Sequence, residues 1–410
     1  MQLTRKKDKS DKKDKKDNEN QIENQIEQPA DKKKKISLAS KPKIKKSKPL
    51  PAFIAIDIGS REVKILEGQF RNLKLNVQKA ISDVLPNGWV YDGKILEVDK
   101  VAGHLIQMLS RNAMKPANAV ITMNSTEMIQ RELVVPRVAD SELLGLVTYE
   151  IAKFLPIDPS SYVIQYNVIE EFLNKDNVIQ LRVNVCAMPK FISKNYADLL
   201  NKLKIKPLEL NIHSSSIEKI MKVEMLHNST LAKGCNAIID IGHTNINVML
   251  FNDGNFIFNR LLDVGGSKLD EILINSADVD HVEAEKLKKF NLSKLSVVDI
   301  YKQYSLTGFM EREALNTQEL ITQETIIAID NWISNIDAVI KYYTSRNNEN
   351  VVDNVYIYGG STFIRDIDKL IEQKLNIKTS RLDFLHLLEG SIDSKIISTY
   401  MNAIGAKIRL

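Results

Sequence analysis

One pattern constrains this chain more than any other. A short apolar strand ending in Asp-Ile-Gly, then a tight turn and a second strand, occurs twice, with Asp57 and Asp240 lying 183 positions apart. The first copy runs Phe53-Ile54-Ala55-Ile56 into Asp57-Ile58-Gly59-Ser60, with Val63, Ile65 and Leu66 on the strand behind it. The second runs Ala237-Ile238-Ile239 into Asp240-Ile241-Gly242-His243-Thr244, followed by strands 247–251 and 256–262 that meet at Asn252-Asp253-Gly254-Asn255. Each copy reads as the opening of a hairpin meander. Repeats so far apart predict two duplicated α/β domains rather than a solenoid, and 410 residues exceed what one core usually supports.

The repeated turn has a chemical reading. A strand-end carboxylate beside a glycine lets backbone approach a ligand closely. Amides of the turn and Ser60 can then bond a phosphate while Asp57 holds hydrated magnesium. One such turn is ordinary loop chemistry. The second, with Asp240, Gly242 and Thr244, would grip the phosphates from the other side, placing magnesium between two carboxylates. Gly265-Gly266, before a helix starting near Ser267, is expected to offer free helical N–H groups to an anion or ribose. Gly359-Gly360-Ser361, after the strand 354–358, would let a flat base lie against backbone. Lys64 either reaches a phosphate as a point charge or is a solvated lysine on an edge strand. His243 reads as a polar loop residue, and His104 and His213 as structural histidines of helical segments.

Around these turns, helices are expected near 98–112, 141–154, 190–203, 213–227 and 317–347, and strands near 119–122, 128–134, 162–169 and 178–185. The helix Ser141–Phe154 reads first as core packing, with a partner-binding face as the alternative. The expected boundaries are a tail at 1–51, a first domain at 52–233 with an inserted αβ module at about 84–187, and a second domain at 234–410. Charge is uneven. Residues 1–50 hold sixteen Lys and one Arg against eight acids, whereas the remainder holds 40 bases and 44 acids. The tail is too polar to bury a core and is expected to be disordered, a solvated linker or a weak contact for anionic lipid. It has no aromatic residue for base stacking, so no nucleic-acid partner is expected. Two cysteines, Cys186 and Cys235, without CxxC spacing read as buried thiols in a reducing compartment. Neither a signal peptide nor a membrane-length apolar run is seen, so a cytoplasmic location is expected.

The order and wording of the four loops resemble the actin-like ATPase superfamily, and within it the PilM family of type IV pilus assembly proteins, which is related to FtsA. The resemblance runs from Phe53 to Leu410 and rests on AFIAIDIGSREVKILEG, SELLGLVTYEIAKFLPID, NAIIDIGHTNINVMLFNDGNFIFNRLLDVGGSKLDEIL and VDNVYIYGGSTFIRDIDKLIEQKL. It implies an α/β actin-like fold whose first domain carries an FtsA/PilM-type insertion. It implies ATP and Mg2+ as ligands. Asp57, Gly59, Ser60 and Lys64 fall on its first phosphate motif, and Asp240, Gly242 and Thr244 on the second. Gly265, Gly266 and Lys268 fall on the following turn, and Gly359, Gly360 and Ser361 on the adenosine motif. Asp57 and Asp240 would be the magnesium residues, acting through water. Arg61 and Glu62 stand where small hydroxyl residues are usual, and Asn335 stands where relatives carry Glu on the long helix.

The resemblance further implies a cytoplasmic scaffold at the inner face of the membrane. It would bind the cytoplasmic N-terminal peptide of a PilN-like inner-membrane protein, with other pilus assembly proteins and a homo-oligomer as further partners. Hydrolysis would be weak or regulatory, and no catalytic residue is assigned. Two alternatives are weighed. An FtsA-like division tether should end in a membrane-seeking helix, whereas residues 403–410 read as the last helix of a domain. A small-molecule kinase would need a carboxylate base, for which Asp270 is the one candidate.

Overall fold

The computed structural model describes residues 51–410 apart from 157, 348, 349 and 391. The expected tail at 1–51, with its lipid contact, therefore lies outside the described residues save for Pro51. The first sheet begins with β1 (Ile54–Ile58), β2 (Glu62–Arg71) and β3 (Lys74–Val84), an antiparallel meander. A short hairpin, β4 (Val90–Tyr91) and β5 (Lys94–Ile95), leads into α1 (Val98–Arg111), and β6 (Asn118–Met123) then lies parallel to β1.

The chain leaves this sheet to build β7 (Ile129–Pro136), α2 (Asp140–Ala152), β8 (Tyr162–Leu173) and β9 (Ile179–Pro189). These strands form a separate antiparallel sheet of order β7-β9-β8, with Leu143, Val147 and Ile151 of α2 in its core. The separate sheet is thus narrower than the span 84–187, because β4, β5, α1 and β6 serve the first sheet. After α3 (Lys190–Lys202), β10 (Lys206–Ile212) pairs with β6, and α4 (His213–Leu226) closes the half.

The second half repeats the plan. It opens with β11 (Cys235–Ile241), β12 (Ile246–Asn252) and β13 (Asn255–Leu262), followed by α5 (Gly266–Ala277), α6 (His281–Lys294), α7 (Val297–Thr307) and the long α8 (Thr317–Ser345). Then come β14 (Asn354–Tyr358), α9 (Ile367–Leu375), β15 (Thr379–Arg381) and α10 (Ser394–Lys407). Sheet orders β3-β2-β1-β6-β10 and β13-β12-β11-β14-β15 are the same, strand for strand. Both consist of a meander with two parallel strands added beside its first member.

Burial explains the layering. β1 is buried along its whole length, and β11 is buried except at Asp240, as expected for strands covered on both faces. On the outer side of the first sheet, Ile56 and Ile65 pack with Leu105 of α1 and Leu199 of α3. The second sheet's outer side packs Ile239 and Val248 against Ile329 and Trp332 of α8. Between the sheets lies a shared core in which Ile217 and Ile220 of α4 and Ala403 and Ile404 of α10 meet Ala55, Leu66, Ile238 and Met249. Although α10 follows the second sheet in sequence, it packs on α4, β1, β2 and β6. Among the described residues, no helix is long and apolar enough to cross a membrane.

Candidate functional site

Both central strands end at the same place, in turns of the same construction. Gly59 N–H donates to the Glu62 carbonyl at 3.0 Å, and Gly242 N–H donates to the Asn245 carbonyl at 3.0 Å. A Cβ at Gly59 would stand 3.1 Å from the Glu62 oxygen, and one at Gly242 would stand 2.7 Å from the Asn245 oxygen. Closeness of backbone to backbone therefore requires glycine at 242 and favours it at 59. The two turns face one another across a cleft, where Ser60 Oγ lies 3.0 Å from Thr244 Oγ1.

The carboxylates meet through a histidine. His213, the first residue of α4, places Nε2 3.2 Å from Oδ1 of Asp57 and Nδ1 3.6 Å from Oδ2 of Asp240. Asn402 of α10 donates to Asp240 Oδ2 at 3.2 Å and accepts from Tyr358 Oη at 2.9 Å. Lys64 lies in the same pocket with 12% of its side chain exposed, on an interior strand, so it is no solvated edge lysine. Burial alone would depress the Lys64 amine, but Asp57, Glu62 and Asp240 together hold it above its ordinary value.

The two repeats differ electrostatically. Burial would raise the Asp57 carboxyl, yet its bond to His213, the nearby charge and Lys64 hold it below the usual range. At Asp240 burial wins over His213 and Asn402, and the carboxyl is pushed up.

Of the sequence-predicted residues, Asp57, Gly59, Ser60, Lys64, Asp240, Gly242, Thr244, Gly359, Gly360 and Ser361 all line this one cleft. Ser361 Oγ donates to the Gly242 carbonyl at 3.1 Å, joining the last loop to the second turn. Gly265, Gly266 and Lys268 do not line it. The amides expected to be free at the start of α5 are spent: Gly266 N–H donates to the Gly242 carbonyl at 3.1 Å and Ser267 N–H to the His243 carbonyl at 2.7 Å. Gly265 lets that loop close, since its Cβ would stand 2.5 Å from the His243 oxygen. Lys268 points outward to Glu271 at 2.7 Å. Asn335 also faces away, bonding Asn331 one turn back on α8.

Several cleft residues escaped the sequence reading. His213, Asn402, Glu285, Lys288 and Lys289 reach the cleft from α4, α10 and α6. Asp270, the candidate kinase base, is instead buried against Lys288 Nζ at 2.6 Å. Asp270 thus has a structural ion-pair partner and does not line the cleft.

The residues also bear on the implied ligands. Among the described residues, no group of three or more His, Cys, Asp or Glu is placed to hold a metal ion. Asp57 and Asp240 already accept hydrogen bonds from protein donors, so direct ligation has no ready ligand set. Magnesium keeps several of its waters when phosphate supplies other ligands, and the two carboxylates fit that water-mediated role. The glycine-lined, cation-bearing turns fit a phosphate chain.

The family model described as "Type IV pilus assembly protein PilM" matches residues 55–321. The chain belongs to the PilM family. Among solved structures it superposes on a chain of a PilM–PilN type IV pilus biogenesis complex with a TM-score of 0.71 at 15% identity, covering 88% of this chain and 98% of that one. The likeness shows a shared fold, the actin-like α/β fold. Fainter likenesses link the chain to the ethanolamine utilization protein EutJ from Carboxydothermus hydrogenoformans (TM-score 0.49, 12% identity, 87% and 90% covered). MreB 5 of Spiroplasma citri bound to AMPPNP is similar at the same level (TM-score 0.48, 13% identity, 88% and 96% covered).

Proposed function

We propose that this PilM-family chain is an ATP-binding scaffold of the type IV pilus assembly machine. It takes Mg2+ with the nucleotide and retains the cytoplasmic N-terminal peptide of a PilN-like inner-membrane protein. The observation that carries the nucleotide part is the pair of matched glycine turns meeting across one cleft, with Asp57 and Asp240 bridged by His213. Asp57, Gly59, Ser60 and Lys64 act on one side of the phosphates, and Asp240, Gly242 and Thr244 on the other. Gly359, Gly360 and Ser361 offer a flat surface to the base. The PilN part is supported by family membership and by the PilM–PilN complex that shares this fold. Such a partner holds the chain at the inner face of the membrane.

Nucleotide can bias the partner contact only through different affinities for the open and closed cleft, a coupling typically of ~1–3 kcal/mol. Calorimetric titration of Mg-ATP into the wild type and Asp240→Ala tests the nucleotide part. Binding by the wild type and a loss of about tenfold or more in the variant is expected. Equal affinities, or no binding by either, would sink it. A pull-down with the PilN-like N-terminal peptide, with and without ATP, tests the partner. Retention unaffected by nucleotide would break the coupling.

A further inference from the structure

Two side-chain contacts close the cleft at the first turn, the Ser60–Thr244 hydroxyl pair and an ion pair made by the next residue. Arg61 donates from Nε at 2.8 Å, and also from Nη2, to Oε2 of Glu285 on α6, while Nη1 donates to the Leu85 carbonyl at 3.2 Å. The two side chains are 16% and 13% exposed, so the pair is far less screened than a surface one. Burial alone would raise the Glu285 carboxyl, but the bonds from Arg61 and Lys289 hold it down at about 2.

We propose that Arg61 is a phosphate-sensing latch. In the latched state Arg61 holds Glu285 and the cleft is shut; a ligand phosphate draws the guanidinium from Glu285, and the cleft opens to admit the ligand. The inference rests on the nucleotide reading above and adds the residue by which this site selects for phosphate.

Size supports it first. The cleft offers about 150 Å³, small beside the ~300–1,000 Å³ of ordinary small-molecule sites, so parting the two contacts would enlarge the room for a nucleoside polyphosphate. Chemistry supports it second. The guanidinium fork suits phosphate oxygens as well as a carboxylate, and the exchange conserves its charge-assisted bonds. Third, neither partner is abandoned. Lys289 Nζ lies 2.8 Å from Oε1 of Glu285, and the Leu85 carbonyl accepts from Arg61 Nη1, so each has a second partner. Arg61, Glu285, Ser60 and Thr244 line the same cavity, so the guanidinium changes partner without leaving it. A ligand without phosphate must break the pair and offers Arg61 nothing in return.

The test titrates ATP and adenosine into the wild type, Glu285→Gln and Arg61→Gln, each first shown to be folded by its thermal transition. Hydrogen exchange of segments 59–62 and 281–289 is followed in parallel. Releasing the latch is expected to tighten adenosine binding about tenfold in both variants and ATP binding about tenfold in Glu285→Gln. In Arg61→Gln the preference for ATP over adenosine is expected to fall about tenfold, because the phosphate has lost its partner. Affinities of Glu285→Gln within about twofold of wild type, or an unchanged ATP preference in Arg61→Gln, would overturn the latch. Should the wild type bind no nucleotide, the nucleotide reading fails while the latch is still judged. Inorganic triphosphate then either raises exchange in 281–289 of the wild type but not of Arg61→Gln, which supports it, or changes neither, which overturns it.

Discussion

Gly359 has φ 105°, and a Cβ there would stand 2.3 Å from Oδ1 of Asp240 and 2.8 Å from the Ile241 carbonyl oxygen. Gly359→Ala is expected to cost about 2–4 kcal/mol, from backbone strain and overpacking together. Its neighbour Gly360, whose Cβ would meet nothing within 4 Å, is the control: Gly360→Ala should stay within about 0.5 kcal/mol of wild type. Urea unfolding separates the two. A second residue makes stability depend on pH. Burial, then Lys288 and Arg61, holds the His243 imidazole down at about 4, against 6.5 when exposed. The unfolded chain therefore takes up a proton that the folded chain refuses. This contribution is complete above pH 6.5 and is lost as pH falls towards 4, about 2 kcal/mol of it by pH 5. His243→Gln should flatten that fall, read as urea midpoints at pH 7 and pH 5.

The same scale explains what the sequence could tell about the site. Asp57, Gly59, Asp240 and Gly242 are legible because a carboxylate, a glycine and a closing backbone bond are local within four residues. His213 and Asn402 are not, because they reach the same carboxylates from helices 156 and 162 positions away from their partners. Gly265-Gly266 misled for a related reason. Which carbonyls take a helix's first amides depends on a loop twenty-four residues earlier, at Gly242 and His243.

At the scale of elements, α4 and α10 do the joining. A Cβ at Gly405 would stand 2.1 Å from the Ser216 carbonyl oxygen, so the two helices touch backbone to backbone there. Gly405→Ala should cost about 1–3 kcal/mol or more and lower the midpoint of thermal unfolding. Toward its other end, α4 buries Glu224, which accepts from Leu387 N–H at 2.8 Å and lies 2.9 Å from His386 Nδ1. Segment 387–389 in turn bonds β3 through Leu75. Glu224→Ala would leave these donors unmatched and is expected to cost about 2–4 kcal/mol, read by urea unfolding. Strongly periodic elements such as α1, α3 and α8 were legible, because their apolar spacing reports one buried face. β10 and α6 were not. α6 buries just Ala284, Lys288 and Leu292, one of them a lysine, so it carries no apolar stripe to detect, whereas β10 alternates Leu208, Leu210 and Ile212 over only five residues, too short a run to stand out.

For the whole molecule, ligand in the cleft should bind the folded chain alone. Mg-ATP at a hundred times its dissociation constant is expected to add about 2.7 kcal/mol of stability. A thermal scan should show that rise in the wild type and one of about 1.4 kcal/mol or less in Asp240→Ala. Duplication was visible in the two Asp-Ile-Gly turns, and the matched strand orders are its structural counterpart.

The way α10 lies across β1, β2 and β6 bears on how the chain is born. Ala55, Leu66 and Val120 complete their cover by joining a core that includes Ala403, Ile404 and Ala406. At a translation rate of roughly 5–20 residues per second, these strands emerge tens of seconds before the helix that shields them. Through that interval the nascent first half keeps part of its inner apolar surface uncovered. Factors that hold such surfaces are expected to engage the chain until α10 has left the ribosome.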